Sequence, residues 1–190
     1  ILAPTRELAL QIGDELRSLL TYYQGIRVAV LYGGAGIGGQ IQQLEKKPQI
    51  VVATPGRLMD HYNRKTVRLD KIRTVVLDEA DRMLDMGFFK DVTRILDKLK
   101  NRVNMGLFSA TISQEVMTVS WMYQRDEVEI TVEPKQEDKP DIDQYSITVT
   151  PLQKAETTLR LIRTQNYERV MIFCNTKHMC QRLSDDFQRA

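Results

Sequence analysis

Val75-Val76-Leu77-Asp78-Glu79-Ala80-Asp81 is an apolar run that stops abruptly in acids. Continuous Val and Leu without alternation reads as a strand buried on both faces, the mark of a parallel sheet. Comparable runs at 26–31, 49–53, 103–108 and 127–132 repeat that pattern, rich in residues that favour strands. Helical patterns separate them. Leu8, Ile12, Leu16, Leu19 and Leu20 fall on one face, with Thr5 placed to cap and Glu7 adding charge to the first turn. Val92, Ile95, Leu96 and Leu99 form a similar stripe. Strands alternating with helices predict an α/β fold with a doubly wound parallel sheet. Ligands of such sheets bind beyond the carboxyl ends of the strands, where Asp78 and Glu79 stand.

The chain has 190 residues, with Lys+Arg 27 against Asp+Glu 25 and a formal charge of +2. This balance excludes a globally basic, nucleic-acid-coating protein, so any such contact must come from local placement. A hydrophobic content of 42% with 27% charged residues excludes wholesale disorder. No apolar run is long enough for a membrane span, and no signal-peptide pattern opens the sequence. Two cysteines, Cys174 and Cys180, are too few for a disulfide framework and predict a reducing, cytoplasmic setting. Because the chain opens at Ile1, already inside an apolar run, it is expected to be part of something longer.

From Glu133 to Asp143 the alternation stops: 7 of 11 residues are charged, two are proline, and Ile142 alone is strongly apolar. A segment of that composition cannot bury itself and reads as a linker. Beyond it the sequence predicts a strand at 144–149, a helix at 153–164, a strand at 169–174 and a helix at Lys177–Arg189. The expected organisation is therefore a first domain over 1–132, a linker over 133–143, and the opening βαβα of a second domain over 144–190.

Strand ends of three kinds carry chemistry. At the first, Asp78 can hold Mg²⁺, usually through waters, while Glu79 can orient or deprotonate an attacking water; the competing reading is that both acids only cap the next helix. At the second, Thr54-Pro55-Gly56-Arg57 offers a helix start with free amides and a forked donor suited to phosphate oxygens, and Pro4-Thr5-Arg6-Glu7 repeats the logic. Two such starts on one edge would make a track for a phosphodiester backbone. At the third, the hydroxyls of Ser109 and Thr111 can reach an acid at the neighbouring strand end, such as Asp81, or serve only as a helix cap.

Gly34-Ala35-Gly36-Ile37-Gly38-Gly39 fits G-x-G-x-x-G, but the next strand ends in Thr54-Pro55 without the acid a dinucleotide site requires. Gly33-Gly34 more simply permits close approach of a backbone. Cys174, His178 and Cys180 lack a second ligand cluster and read as ordinary residues rather than a zinc site. His61 has no evident partner. Arg64, Lys65, Arg68, Lys71 and Arg73 read first as a solvated face.

PTRELA at 4–9, Gly33-Gly34, TPGR at 54–57, DEAD at 78–81 and SAT at 109–111 together resemble the DEAD-box ATP-dependent RNA helicases. VMIFCNT at 170–176 is similar to that family's first RNA-contacting motif in its second RecA-like domain. The resemblance implies a RecA-like fold, ATP and Mg²⁺ as cofactors, and RNA as a sequence-nonspecific partner. Asp78 would organise Mg²⁺–ATP and Glu79 would activate the attacking water. Asp81, Ser109 and Thr111 would couple nucleotide state to domain arrangement. Pro4, Thr5, Arg6, Gly33, Gly34, Thr54, Gly56 and Arg57 would line the RNA backbone, joined by Phe173, Asn175 and Thr176 across a cleft. No G-x-x-x-x-G-K-[ST] occurs in the sequence, so the phosphate-cradling loop is expected before Ile1 and the remaining arginine motifs after Ala190. These 190 residues alone are accordingly expected to lack ATPase activity. Two rival functions are an NTPase without RNA work and a non-catalytic RNA-binding module of the same fold.

Overall fold

The computed structural model describes residues 1–132 and 142–189. The expected linker lies largely outside the described residues. The chain divides into two compact units, Ile1–Ile130 and Thr131–Ala190.

The first unit is built on a parallel sheet. Strand β1 (Val28–Leu31) pairs with β2 (Ile50–Ala53), and β3 (Thr74–Leu77) pairs with β4 (Asn104–Leu107), each in parallel register. Ile1-Leu2-Ala3 joins the two ladders, with Leu2 bridging in parallel to Ala53 on one side and Leu77 on the other. Its backbone is paired on both sides: Leu2 N donates to Val76 O at 2.8 Å and Ala3 N to Ala53 O at 3.0 Å. The order is therefore β1, β2, residues 1–3, β3, β4, and all five carboxyl ends share one edge.

Helices fill the connections: α1 (Arg6–Leu19), α2 (Ile37–Glu45), α3 (Pro55–Asn63), α4 (Ala80–Met83), α5 (Phe89–Lys98) and α6 (Gln114–Tyr123). Thr5 caps α1, its hydroxyl accepting from Leu8 N at 3.2 Å. The stripe on α5 is buried as its spacing requires: Val92, Ile95, Leu96 and Leu99 join Leu31, Leu77, Met83, Val116 and Val119 in one core. A kink over Leu84–Phe88, with Gly87 at the non-helical φ 84°, links α4 to α5. Helix α6 is fastened to α5 by Tyr123, whose hydroxyl donates to Asp97 Oδ1 at 2.9 Å. Burial, and then that carboxylate, push the phenol pKa up to about 12.

Gly13 sets how closely α1 lies on β1. A Cβ there would stand 2.5 Å from Cγ2 of the buried Val30. Alanine improves helix propensity by about 1 kcal/mol, but overlap in a packed core costs about 1–3 kcal/mol. The overlap wins because a branched side chain fixed in a strand has little freedom to yield. Gly13→Ala is thus expected to lower the urea midpoint of unfolding; a midpoint that rises instead would show that the helix shifts freely.

The second unit contains α7 (Lys154–Gln165), which ends at Asn166 in the left-handed region, and α8 (Lys177–Arg189). Among the described residues no strand is seen at the positions expected for them, 127–132, 144–149 and 169–174. These segments carry no ladder among the described residues, and Val128, Ile130, Tyr145 and Phe173 are each more than 80% exposed. A strand is stabilised by its neighbours, and apolar pattern alone does not supply one. Of the expected βαβα, the two helices are present among the described residues.

Candidate functional site

Asp78 and Glu79 stand at the shared edge, directly after β3. Asp78 N donates to Leu2 O at 3.0 Å, holding this strand end against residues 1–3. Asp78 Oδ1 accepts from Glu79 N at 3.1 Å, while its Oδ2 has no hydrogen bond among the described residues. Glu79 adopts φ 47° and ψ 52°, a left-handed conformation costing a non-glycine residue about 1–3 kcal/mol. Its surroundings impose it: Ala80 N donates to Phe108 O at 2.9 Å and Met83 N to Glu79 O at 3.0 Å. The helix-cap reading fails for Glu79, which occupies the cap position of α4 without a side-chain cap bond. Its Oε2 instead meets Arg82 Nη1 at 3.1 Å in an exposed pair, which orients the carboxylate but holds it weakly.

The neighbouring strand ends are clasped through Asp81. Its Oδ2 accepts from Thr111 N at 2.8 Å and from Thr111 Oγ1 at 2.7 Å, and its Oδ1 from Arg82 N at 2.9 Å. Ser109 Oγ accepts from Asp81 N at 3.1 Å and donates to Thr111 O at 2.8 Å. The Thr111 hydroxyl foremost, against some desolvation, holds the Asp81 carboxyl below the usual carboxylate range. Ser113, not Ser109 or Thr111, caps α6.

Further along the edge, the two Thr/Arg helix starts converge on the loop after β1. The Arg6 guanidinium lies 4.9 Å from the ring centroid of Tyr32 and 3.8 Å from where a Cβ on Gly34 would be. Gly33 and Gly34 are exposed, and Gly34 has φ 79°, a backbone state suited to glycine. Neither of their N–H groups donates within the described chain. Thr54 occupies the cap position of α3 but makes no side-chain cap bond, and a Cβ on the exposed Gly56 would meet open space.

Two residues behave differently from the expected track. Pro4 is buried, so it shapes the turn rather than presenting a surface. Arg57, with its side chain 14% exposed, places Nη1 and Nη2 3.1 and 3.2 Å from Ala35 O. Its fork is occupied by a backbone carbonyl, which makes it an anchor for the glycine loop. The solvated-face reading of 64–73 suits Arg64, paired with Asp60 at 2.7 Å, and Arg68, paired with Asp70 at 2.7 Å.

His61, for which the sequence offered no partner, is fully buried and hydrogen-bonded. Its Nδ1 lies 2.8 Å from Thr66 Oγ1 and its Nε2 3.1 Å from Gln40 Oε1. Burial holds its pKa below the usual histidine range. The partners stand 5 and 21 residues away, and no local spacing rule signals such a pairing.

Phe173, Asn175 and Thr176 belong to the second unit. Phe173 is 87% exposed, Asn175 is exposed, and Thr176 Oγ1 accepts from Met179 N at 3.2 Å at the start of α8. No group of three His, Cys, Asp or Glu residues among the described ones is arranged to hold a metal. No helix among them is long and apolar enough to cross a membrane.

Comparison with known proteins places the chain in a family. A family model described as "DEAD/DEAH box helicase" matches residues 1–119. The DEAD-box ATP-dependent RNA helicase CshA of Bacillus cereus is 40% identical over 97% of this chain and 35% of its own length. The ATP-dependent RNA helicase DeaD of Escherichia coli is 35% identical over 100% of this chain and 30% of its own. The chain thus spans about a third of the curated relatives it matches. Among solved structures, a DEAD box protein from Methanococcus jannaschii superposes with TM-score 0.66 at 37% identity, covering 99% of this chain and 50% of that one. These likenesses make the α/β architecture RecA-like. With strand-end acids and clasped hydroxyls on one edge and a family match over residues 1–119 of the first unit, the chain belongs to the DEAD/DEAH box helicase family.

Proposed function

We infer that the protein carrying this chain is an ATP-dependent RNA helicase, and that this chain supplies the hydrolytic acids and part of the RNA track. The observation that carries this reading is the shared edge. Asp78-Glu79, the Asp81–Thr111 clasp and the exposed Gly33-Gly34 loop all follow carboxyl ends of one parallel sheet.

Each residue's part follows from its chemistry. Asp78 has an oxygen without a protein partner, fitting a Mg²⁺ ion held mostly by waters and substrate phosphates. That ion, when bound, would offset charge on the phosphate oxygens. Glu79, fixed in backbone but loosely paired in side chain, accepts the proton of the attacking water. Asp81, Ser109 and Thr111 tie the hydrolytic strand end to the segment leading into α6, so a displacement at one reaches the other. Thr5, Arg6, Gly33, Gly34, Thr54 and Gly56 receive the phosphodiester backbone, with Arg57 and Pro4 shaping their support. Phe173, Asn175 and Thr176 supply a second set of RNA contacts. The linker over 133–143 separates two RecA-like domains, and the protein works in the cytoplasm.

The test is ATP hydrolysis by the full-length protein with and without single-stranded RNA. Stimulation by RNA of diverse sequence supports the reading, because backbone contacts carry no base information. RNA-independent turnover would favour an NTPase without RNA work, and RNA binding without turnover a non-catalytic module.

A further inference from the structure

The Gly33-Gly34 loop is pinned from beneath by a buried polar chain that the motifs do not contain. Gln40 Nε2 donates to Tyr32 O at 3.0 Å, the carbonyl immediately before Gly33. That bond fixes the amide's orientation, so Gln40 Oε1 faces His61 Nε2 at 3.1 Å and must accept from it. His61 Nδ1 in turn meets Thr66 Oγ1 at 2.8 Å, and Thr66 Oγ1 also approaches His61 O at 3.0 Å. Gln40 and His61 are the two buried polar residues of the described chain, 3% and 0% exposed. On the loop's other side, Ala35 O is taken by Arg57. The two glycines therefore hang between two held carbonyls, with their own N–H groups turned to no partner in the chain.

We propose that Gln40 and His61 are positioning residues for the loop's grip on an RNA phosphate, a step that rests on the RNA reading above. Apolar residues could fill the same volume without desolvating an amide and an imidazole. What the polar chain adds is a fixed direction for Tyr32 O, and with it for the peptide plane that carries the Gly33 N–H. Free glycine peptides would otherwise sample several orientations, and only some aim an N–H at a phosphate oxygen.

The test uses the full-length protein, a fluorescein-labelled oligouridylate and a non-hydrolysable ATP analogue. Gln40→Met keeps length and apolar bulk while removing the hydrogen-bonding atoms. It is expected to raise the RNA Kd about tenfold, the loss expected when a buried bond is removed and its partner left unpaired. Turnover at saturating RNA should fall by less than about threefold, because the hydrolytic acids are untouched. The salt dependence of binding should keep its slope, since no cation is lost, whereas Arg6→Ala should weaken binding and reduce the slope by about 1. His61→Leu should reproduce the Gln40→Met loss, and His61→Gln, which retains a donor toward Gln40, should restore most of the affinity. This His61 pair also decides the matter if Gln40→Met does not fold. An RNA Kd within about twofold of the parent in folded Gln40→Met or His61→Leu, below the loss from one buried bond, overturns the positioning role. If Arg6→Ala leaves RNA affinity unchanged as well, the RNA reading of this edge fails with it. A loss in Arg6→Ala alone sinks only the relay.

Discussion

Glu79→Gln in the full-length protein is expected to cut ATP turnover by about 10²–10⁴-fold, the usual worth of a positioned general base. ATP and RNA affinity should stay near parent values. The substitution is nearly isosteric, and the left-handed backbone of Glu79 is held by Ala80 N donating to Phe108 O, Met83 N donating to Glu79 O and Glu79 N donating to Asp78 Oδ1, none of which uses the Glu79 carboxylate. Arg82 would still find an amide oxygen where Oε2 now lies. The change therefore removes proton affinity and little else, so lost turnover without lost binding assigns the base. Asp78→Asn should behave differently, weakening Mg²⁺–ATP binding itself, because its unpartnered oxygen is the one offered to the ion. Single-turnover hydrolysis with separately titrated ATP affinity separates the two. Unchanged turnover in Glu79→Gln would move the base to another residue.

The parts of this edge that could be read from sequence are those where pattern and chemistry coincide locally. β3 falls at Thr74–Leu77, as its continuous Val and Leu run predicts, and the acids follow immediately. The Asp81–Thr111 meeting could be anticipated because each follows a strand, and hydroxyls readily find a carboxylate at a neighbouring strand end. Strand order was not legible. Nothing in Ile1-Leu2-Ala3 announces that it lies between β2 and β3, since order depends on crossovers rather than on any residue's preference. The same limit hides the Gln40–His61 chain and the hold of Arg57 on Ala35 O, whose partners are 21 and 22 residues apart. Arg57 also shows why residue type alone misleads: a guanidinium beside a helix start suits a phosphate, but it equally suits the nearest carbonyl. Segments 127–132, 144–149 and 169–174 have strand-like composition without a neighbouring strand to pair with among the described residues. Composition records a preference; pairing decides the outcome.

Asp81→Ala tests whether the clasp transmits or merely stabilises. It deletes the acceptor for Thr111 N, Thr111 Oγ1 and Arg82 N, groups at the exposed or half-buried edge that water can satisfy, so the stability loss should be near about 1 kcal/mol. RNA stimulation of hydrolysis should nevertheless fall at least about tenfold, a coupling of roughly 1.4 kcal/mol. ATP and RNA affinities measured separately should change little. Asp81→Asn keeps an acceptor toward Thr111 and should recover part of the coupling. The pH behaviour provides an independent check. The folded-state pKa of Asp81 is depressed, so its contribution to stability is present above the unfolded value of about 3.9 and is lost only as pH falls through the lower folded value. Across pH 6–8 the carboxylate stays ionised, so the ratio of parent to Asp81→Ala stimulation should be flat. A ratio that changes through that range would point to a group titrating near neutrality, and the transmitted signal would then run through that group instead of the clasp.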